Sequence, residues 1–233
     1  MPCTALQDRV SWGRDVRWGE ISFLVAGERI SKYQGRRNRI YNLWFDHEIL
    51  RILWTNTFEI APGVFRSNQP TKKRFALLRD QGIHTILNLR GANPNGHYLA
   101  EQQFCGELEL NLHSIRLNAR SLVPRDTFIE LISLFRTLDR PLLMHCKSGA
   151  DRAGLASAIY MMVIEHQPVE QAQRMLSWRY MHVRNRYTGI LDYCLEIYAA
   201  RTAREPIGFE DWVAQEYDPV TITDRFRKRL SPV

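Results

Sequence analysis

One stretch in the middle of the chain constrains the fold more than any other. The apolar run Leu142 to Met144 leads into a short loop of small and polar residues, and an almost continuously apolar segment over 155–163 follows. A short apolar run of this kind is typical of a strand buried on both faces of a sheet. A helix that is apolar nearly all round must itself be buried. The stretch therefore predicts a central strand, a tight loop and a buried helix, in that order.

Further strands and helices alternate along the chain. The sequence predicts strands over 57–60, 64–66, 83–88, 112–117 and 142–145, and helices over 71–81, 97–109, from 124 onward, after the central loop, and over 168–177 and 188–203. Such an alternation is typical of an α/β fold. We expect a mixed, mostly parallel central sheet with helices on both faces. Its functional site should lie where the carboxyl end of a strand meets a helix.

The loop after the predicted central strand contains a cysteine, a glycine and an arginine at a spacing that suits a phosphate. Cys146 lies six residues before Arg152, with Gly149 between them. Backbone N–H groups of such a loop can point inward at an anion, and the positive end of the following helix adds to their field. The guanidinium of Arg152 can bind two phosphate oxygens at once. The same field should favour the thiolate form of Cys146, the nucleophile that chemistry at phosphorus needs.

This interpretation assigns roles to the whole loop. The candidate catalytic residues are Cys146, Arg152 and Asp151, and the candidate substrate-binding residues are His145, Lys147, Ser148, Gly149 and Ala150. His145 is expected to support the loop rather than to attack. Glycines at 149 and 154 should permit a close turn and close packing. The competing interpretation is a buried free cysteine at a strand end, followed by an unrelated arginine.

The loop resembles a known signature. Residues 145–152 read H-C-K-S-G-A-D-R, which is similar to the H-C-x-x-G-x-x-R signature of cysteine-dependent phosphatases of the protein-tyrosine and dual-specificity type. The resemblance extends to 64–71, 86–90 and 188–191, and so covers roughly residues 57–200. It implies the α/β fold of those enzymes, hydrolysis of a phosphomonoester through a phosphocysteine intermediate, and no metal or other cofactor.

The resemblance also implies an acid that protonates the leaving oxygen. Dual-specificity enzymes usually carry an aspartate for this step on a loop before the cysteine, but the corresponding stretch here, 116–121, holds no carboxylate. Asp151 is the favoured replacement, because myotubularin-like and some bacterial phosphatases have an aspartate directly before the loop arginine. Its alternative role is an ion pair that orients Arg152 or a neighbour. Asp126 comes next, although its position favours a first-turn interaction with a helix dipole.

Composition limits the partners. The chain has 233 residues, 45% of them hydrophobic, and a formal net charge of +7 at pH 7. It can therefore bury a full core, and its charge suits anionic partners. Lys147 in the loop leaves two substrate classes open, a phosphorylated protein and a phosphoinositide. A basic stretch over 29–39 is a candidate for peripheral contact with an anionic membrane, and no platform of aromatic and basic residues indicates nucleic acid.

The cysteines indicate the compartment. The four cysteines show neither paired spacing nor a neighbouring histidine cluster of metal-ligand type. A reducing compartment fits this pattern, and a nucleophilic Cys146 would require one. The chain starts without the apolar block of a signal peptide, and no run approaches membrane-spanning length. We therefore expect a cytoplasmic protein.

The sequence predicts one domain with two extensions. Residues 1–56 are predicted to be an N-terminal extension with an amphipathic helix over 38–54, and residues 57–204 to be the phosphatase domain. The prolines and glycine in residues 205–233 predict an irregular C-terminal tail.

The sequence predicts an enzyme, a phosphatase of the protein-tyrosine or dual-specificity type. One alternative is a phosphoinositide or other lipid phosphatase. Another is a weakly active phosphate-binding module, suggested by the missing upstream aspartate and by Ala153, where the family usually has a hydroxyl group.

Overall fold

A five-stranded sheet forms the centre of the protein. The computed structural model describes residues 55–94 and 96–230. The strands are β1 (Phe58–Ala61), β2 (Val64–Asn68), β3 (Thr85–Asn88), β4 (Asn111–Ser114) and β5 (Leu142–Cys146), in the spatial order β1-β2-β5-β3-β4. β1 and β2 are antiparallel, and the other neighbours are parallel. The predicted mixed, mostly parallel sheet is confirmed, with β5 at its centre and buried at every residue.

The helices follow the predicted order. They are α1 (Lys72–Asp80), α2 (Gly96–Glu107), α3 (Arg125–Thr137), α4 (Asp151–Val163), α5 (Val169–Ala172), α6 (Gly189–Thr202), α7 (Phe209–Gln215) and α8 (Pro219–Leu230). The side chain of Thr71 caps α1 by accepting the N–H of Arg74. The helix predicted over 168–177 is shorter, because α5 gives way to a 3₁₀ turn over Gln173–Met175.

The sheet packs against helices on both faces. Leu143 of β5 belongs to a cluster with Phe75 of α1 and Cys105 of α2. Its neighbours Leu142 and Met144 belong to a larger cluster that includes residues of α3, α4, α6, α7 and α8. Adjacent residues of a strand point to opposite faces, so β5 contributes to both cores. The predicted arrangement of helices on both faces is confirmed.

The C-terminal segment is not an irregular tail, and this prediction was wrong. Residues 209–215 and 219–230 form α7 and α8. Proline is well accepted in the first turn of a helix, and Pro219 begins α8. Trp212 of α7 and Phe226 of α8 are buried, and the hydroxyl of Tyr217 donates to the carbonyl of Val123 at 2.7 Å. The apolar residues at helical spacing therefore form helices, despite the prolines and the glycine from which an irregular tail was predicted.

Several predictions concern residues outside the described ranges. The amphipathic helix over 38–54 and the basic stretch over 29–39 both lie there, and the boundary of the phosphatase domain at residue 204 stays a prediction. Among the residues described, no helix combines the length and the apolar character needed to cross a bilayer.

The strand register brings polar residues together at one edge of the sheet. Asn68 at the end of β2 pairs with Cys146 at the end of β5, and Asn88 at the end of β3 pairs with His145. These three strands are parallel, so their carboxyl ends meet beside the loop that leads into α4. This edge is where open α/β sheets place their ligands.

Candidate active site

The candidate site is the Cys146 loop, residues 146–152, between β5 and α4. Cys146 is only 1% exposed, and its Sγ accepts the N–H of Gly149 at 3.3 Å. Ala150, at the N-cap of α4, makes no side-chain capping bond. The first amides of α4 are therefore not used by a capping side chain, which leaves an anion site of the kind found at helix N-termini.

The protein body binds four consecutive carbonyls of this loop. The Lys147 carbonyl accepts the N–H of Gln69 at 3.4 Å, and the Ser148 carbonyl accepts Nδ2 of Asn56 at 3.0 Å. The carbonyls of Gly149 and Ala150 both accept a hydrogen bond from Nη2 of Arg66, at 2.6 Å and 3.1 Å. All four carbonyls are thus turned towards the body of the protein.

This anchoring determines where the loop amides point. In a planar trans peptide, the C=O of one residue and the N–H of the next point in opposite directions. Carbonyls of residues 147–150 that face the protein body therefore turn the amides of residues 148–151 the other way. The amide of Gly149 already points at Cys146 Sγ. The loop consequently presents a row of N–H groups beside the thiol.

Arg66 is the principal anchor, and sequence reasoning missed it. Its side chain is fully buried, and its guanidinium lies 4.1 Å from the ring centroid of Tyr180. Nη1 donates to the carbonyl of Met175 at 2.8 Å. This carbonyl is accessible because α5 ends early, at Ala172. Burial lowers the pKa of Arg66 to about 10, and the electrostatic interaction with Cys146 acts in the opposite direction. Arg66 therefore stays cationic at neutral pH behind the loop.

Gly149 and Gly154 make the close packing around this anchor possible. Gly149 has a φ of +75°, and a Cβ there would lie 2.6 Å from the backbone nitrogen of Asn68. A Cβ on Gly154 would lie 2.7 Å from Cδ2 of Leu176 and 3.5 Å from Nη2 of Arg66. The predicted need for a close turn and for close packing at these positions is confirmed.

His145 supports the loop from inside the protein. Its side chain is completely buried, and its Nε2 lies 2.5 Å from Oε1 of Glu101. Glu101 is itself buried and also accepts from Gln69 at 3.1 Å and from Asn88 at 2.9 Å. The side chain of His145 is therefore placed to hold the strand end rather than to contact a substrate, which corrects its grouping with the substrate-binding residues.

A pocket opens beside the loop and is lined by Arg152. It has a volume of about 190 Å³, and Arg90 and Arg116 lie in its wall. Nε of Arg152 is buried and has no hydrogen-bond partner among the described residues. Burial and the positive charge of Arg152 lower the pKa of Lys147. Positive charge is thus concentrated where the sequence predicted a phosphate.

Comparison with known proteins agrees with this geometry. A family model described as a DSP-PTPase phosphatase fused to NAD+ kinase matches residues 55–187, more than half of the chain. The chain belongs to this family. It is therefore a member of the cysteine-dependent dual-specificity and tyrosine phosphatase superfamily that the Cys146 loop resembles.

Individual relatives are more distant. The dual specificity protein phosphatase TpbA of Pseudomonas aeruginosa is 26% identical over 115 residues, which cover 47% of this chain and 48% of the relative. The chain thus spans about half the length of the curated relatives it matches.

Solved structures share the fold. The catalytic domain of the PP-IP phosphatase Siw14 from Saccharomyces cerevisiae is 14% identical with a TM-score of 0.52, over 65% of this chain and 93% of that one. A DUF442 protein from Shewanella putrefaciens is 15% identical with a TM-score of 0.53, over 66% and 95%. At these identities the likeness concerns the phosphatase fold alone.

Asp151 lies in an ion-pair network next to the phosphatase loop. Its Oδ1 is 2.8 Å from Nδ1 of His182, whose Nε2 is 3.0 Å from Oδ2 of Asp192. Burial lowers the pKa of His182, but the hydrogen bonds and charges of the two aspartates outweigh it and raise the pKa to about 9. His182 is therefore an imidazolium at neutral pH that joins the start of α4 to α6.

Asp126 and the basic residues of the segment before α6 lie outside the Arg152 pocket. Asp126 is exposed in the first turn of α3, as its position had indicated. Arg184 pairs with Glu196, and Arg179 lies over the ring of Phe58 at 5.7 Å. The pocket beside Arg152 is not lined by the basic residues between 179 and 186.

Cys105 and Cys194 are also buried free cysteines. Burial raises the pKa of both Cys105 and Cys194 to about 12, so neither is a thiolate at neutral pH. Across the described ranges, no group of three or more histidine, cysteine, aspartate or glutamate side chains could hold a metal ion.

Substitution of Gly149 should abolish anion binding, and Gly82 provides a matched control. Both residues have positive φ, but a Cβ on Gly82 meets nothing within 4 Å. Alanine at either site should cost about 1–2 kcal/mol of stability from backbone strain. Only Gly149→Ala should also displace β2 from the loop and remove the binding of inorganic phosphate, measured by calorimetric titration. Equal phosphate affinity of the two variants would contradict the role given to Gly149.

Proposed function

We propose that the chain hydrolyses phosphomonoesters through a phosphocysteine intermediate. The observation that carries the proposal is the anchoring of the carbonyls of residues 147–150, which turns the following amides towards the space beside Cys146 Sγ. Membership of the phosphatase family and the dual-specificity phosphatase among its relatives support it.

The proposed reaction has two steps. The Cys146 thiolate attacks phosphorus, so that an S–P bond forms while the bond to the leaving oxygen breaks. Arg152 and the loop amides stabilise the equatorial oxygens as charge develops on them. Water then attacks the same phosphorus, the S–P bond breaks, and inorganic phosphate and the thiolate are released. The proton that the water loses balances the proton that the leaving oxygen takes up.

The leading substrate class is a protein carrying phosphotyrosine, with other phosphorylated side chains accepted. This choice rests on the relative that is named a dual specificity protein phosphatase. A phosphoinositide or other lipid phosphate is the second candidate, supported by the basic residues near the loop, Lys147 and Arg152. We also propose a reducing compartment, because the proposed nucleophile must stay reduced.

A weakly active phosphate-binding module remains the alternative function. It is favoured by one observation, that Glu101 is the only carboxylate among the described residues that line the Arg152 pocket, and that this carboxylate is already bound by three side chains. A module of this kind would bind phosphate with the same loop but lack an efficient proton donor.

For Asp151 we propose an orienting role. A general acid must reach the leaving oxygen, whereas Oδ1 of Asp151 is held 2.8 Å from Nδ1 of His182 and Asp151 does not line the Arg152 pocket. The ion pair supports the second of the two roles that the sequence left open. Through it, Asp151 would hold the start of α4, and with it Arg152, in place.

Replacement of Cys146 tests the proposed enzyme. Cys146→Ser should lower kcat for para-nitrophenyl phosphate by at least about 10⁴-fold, since the nucleophile is lost. Cys194→Ala is the matched control, because it removes a buried thiol of α6, outside the loop, and should keep most of the activity. Absence of turnover by the unaltered protein, together with tight phosphate binding, would favour the binding module instead.

Leaving-group dependence tests the role of Asp151. Asp151→Asn should lower kcat/KM by similar factors for para-nitrophenyl phosphate and for a phosphotyrosine peptide if the residue only orients its neighbours. A general acid contributes a factor of about 10²–10⁴ to kcat/KM, mainly for the phosphotyrosine peptide, which has the poorer leaving group. A loss on phosphotyrosine that exceeds the loss on para-nitrophenyl phosphate by such a factor would identify Asp151 as the acid. Asp192→Asn, which breaks the other side of the network, serves as the control.

A further inference from the structure

The pocket beside the Cys146 loop extends beyond Arg152. Its volume is about 190 Å³, whereas a site for a single water needs only about 10–15 Å³. Arg152 lines the side next to the loop, and Arg90 and Arg116 come from the segments that follow β3 and β4. The pocket therefore extends from Arg152 of the loop to two further arginines.

Arg116 carries a positive charge that the described protein does not compensate. Within residues 55–94 and 96–230 its guanidinium takes part in no hydrogen bond or ion pair, and its side chain is exposed. The carboxylate of Glu101, which lines the same pocket, already accepts from His145, Gln69 and Asn88. Glu101 is thus committed to supporting the strand ends, and Arg116 retains its capacity to bind an oxyanion.

The backbone brings Arg116 next to Arg90. The two residues form an antiparallel bridge, which is possible because Gly91 has no side chain. A Cβ on Gly91, whose φ is +81°, would lie 2.7 Å from Cβ of Arg116. The guanidinium of Arg90 donates to Oε1 of Gln69, and its backbone N–H donates to Oδ1 of Asn88 at 2.7 Å.

Arg116 lines the same pocket as Arg90 and Arg152, and positive charge gathered in a cleft attracts anions. Arginine is also the side chain best suited to bind phosphate with two hydrogen bonds. We propose that Arg116 and Arg90 bind a second phosphate group of the substrate while the Cys146 loop holds the first. This inference rests on the proposed phosphatase function and shifts its preferred substrate from a phosphotyrosine protein to a molecule with two phosphates at neighbouring positions.

Matched substrates test the second phosphate site. The unaltered protein should hydrolyse a vicinal inositol bisphosphate with a kcat/KM at least tenfold above that of the corresponding monophosphate. Arg116→Ala should lower this ratio about tenfold, and Arg116→Glu should lower it further. Arg204→Ala removes an exposed arginine at the end of α6 and should leave the ratio unchanged. A ratio near one in the unaltered protein, or a ratio that Arg116→Ala does not change, would overturn the inference.

The same assay distinguishes a free headgroup from a membrane lipid as the source of the second phosphate. The bisphosphate headgroup is offered free in solution and as a phosphoinositide in vesicles, and both arms should show the Arg116 dependence if the headgroup alone is recognised. A direct binding measurement complements them: the Cys146→Ser protein should bind inorganic pyrophosphate at least tenfold more tightly than inorganic phosphate. Equal affinities for the two anions would contradict the proposal.

Hydrolysis of para-nitrophenyl phosphate distinguishes the two possible failures. If the unaltered protein turns over this substrate but shows no preference for two phosphates, the second phosphate site is wrong and the proposed enzyme stands. If it turns over neither class of substrate, the proposed enzyme fails, and the pyrophosphate measurement alone decides whether the second site exists.

Discussion

The site depends on one buried cation. Arg66 lies completely inside the protein, and its guanidinium binds carbonyls of Gly149, Ala150 and Met175. Hydrogen bonds from a charged donor are each worth about 1.5–3 kcal/mol, and a buried cation without them would be strongly destabilising. The loop and the arginine therefore stabilise each other, and the resulting loop conformation faces its amides towards Cys146.

Positive charge is concentrated around the site in the part of the chain that the structure describes. Arg66 lies behind the loop, Arg152 lies in the pocket, and Lys147 has a lowered pKa because of burial and of the charge of Arg152. The described carboxylates near the loop, Glu101 and Asp151, are bound by His145 and His182. Each of these carboxylates therefore already has a hydrogen-bond partner of its own.

The sequence predicted the parts of the site that are close together in the chain. The β5 strand, the loop and α4 are contiguous, so the spacing of Cys146, Gly149 and Arg152 was enough to identify them. The anchors of the loop are distant, because Asn56 and Arg66 lie 92 and 83 positions from the carbonyls they bind. A single arginine in a short strand carries no signal of its tertiary partner. Only its position between buried residues of β2 indicated that it needed one.

Other failures have the same origin in tertiary contacts. Glu101 occupies the buried face of α2 beside Cys105, where helical spacing predicts an apolar residue, and its polar partners come from three different strand ends. The segment 205–233 was misjudged because its prolines outweighed the spacing of Phe209, Trp212 and Val213. Those side chains bury themselves against α3 and α6, as the contacts of Phe209 with Phe128 and Tyr198 show.

A crystal structure with bound tungstate tests the central claim most directly. The account predicts a tetrahedral ion within hydrogen-bonding distance of the amides of residues 148–151 and of the Arg152 guanidinium, in contact with Sγ of Cys146. The carbonyls of Gly149 and Ala150 should remain on Arg66. An ion bound elsewhere, with Cys146 covered by apolar side chains and no space beside it, would contradict the account.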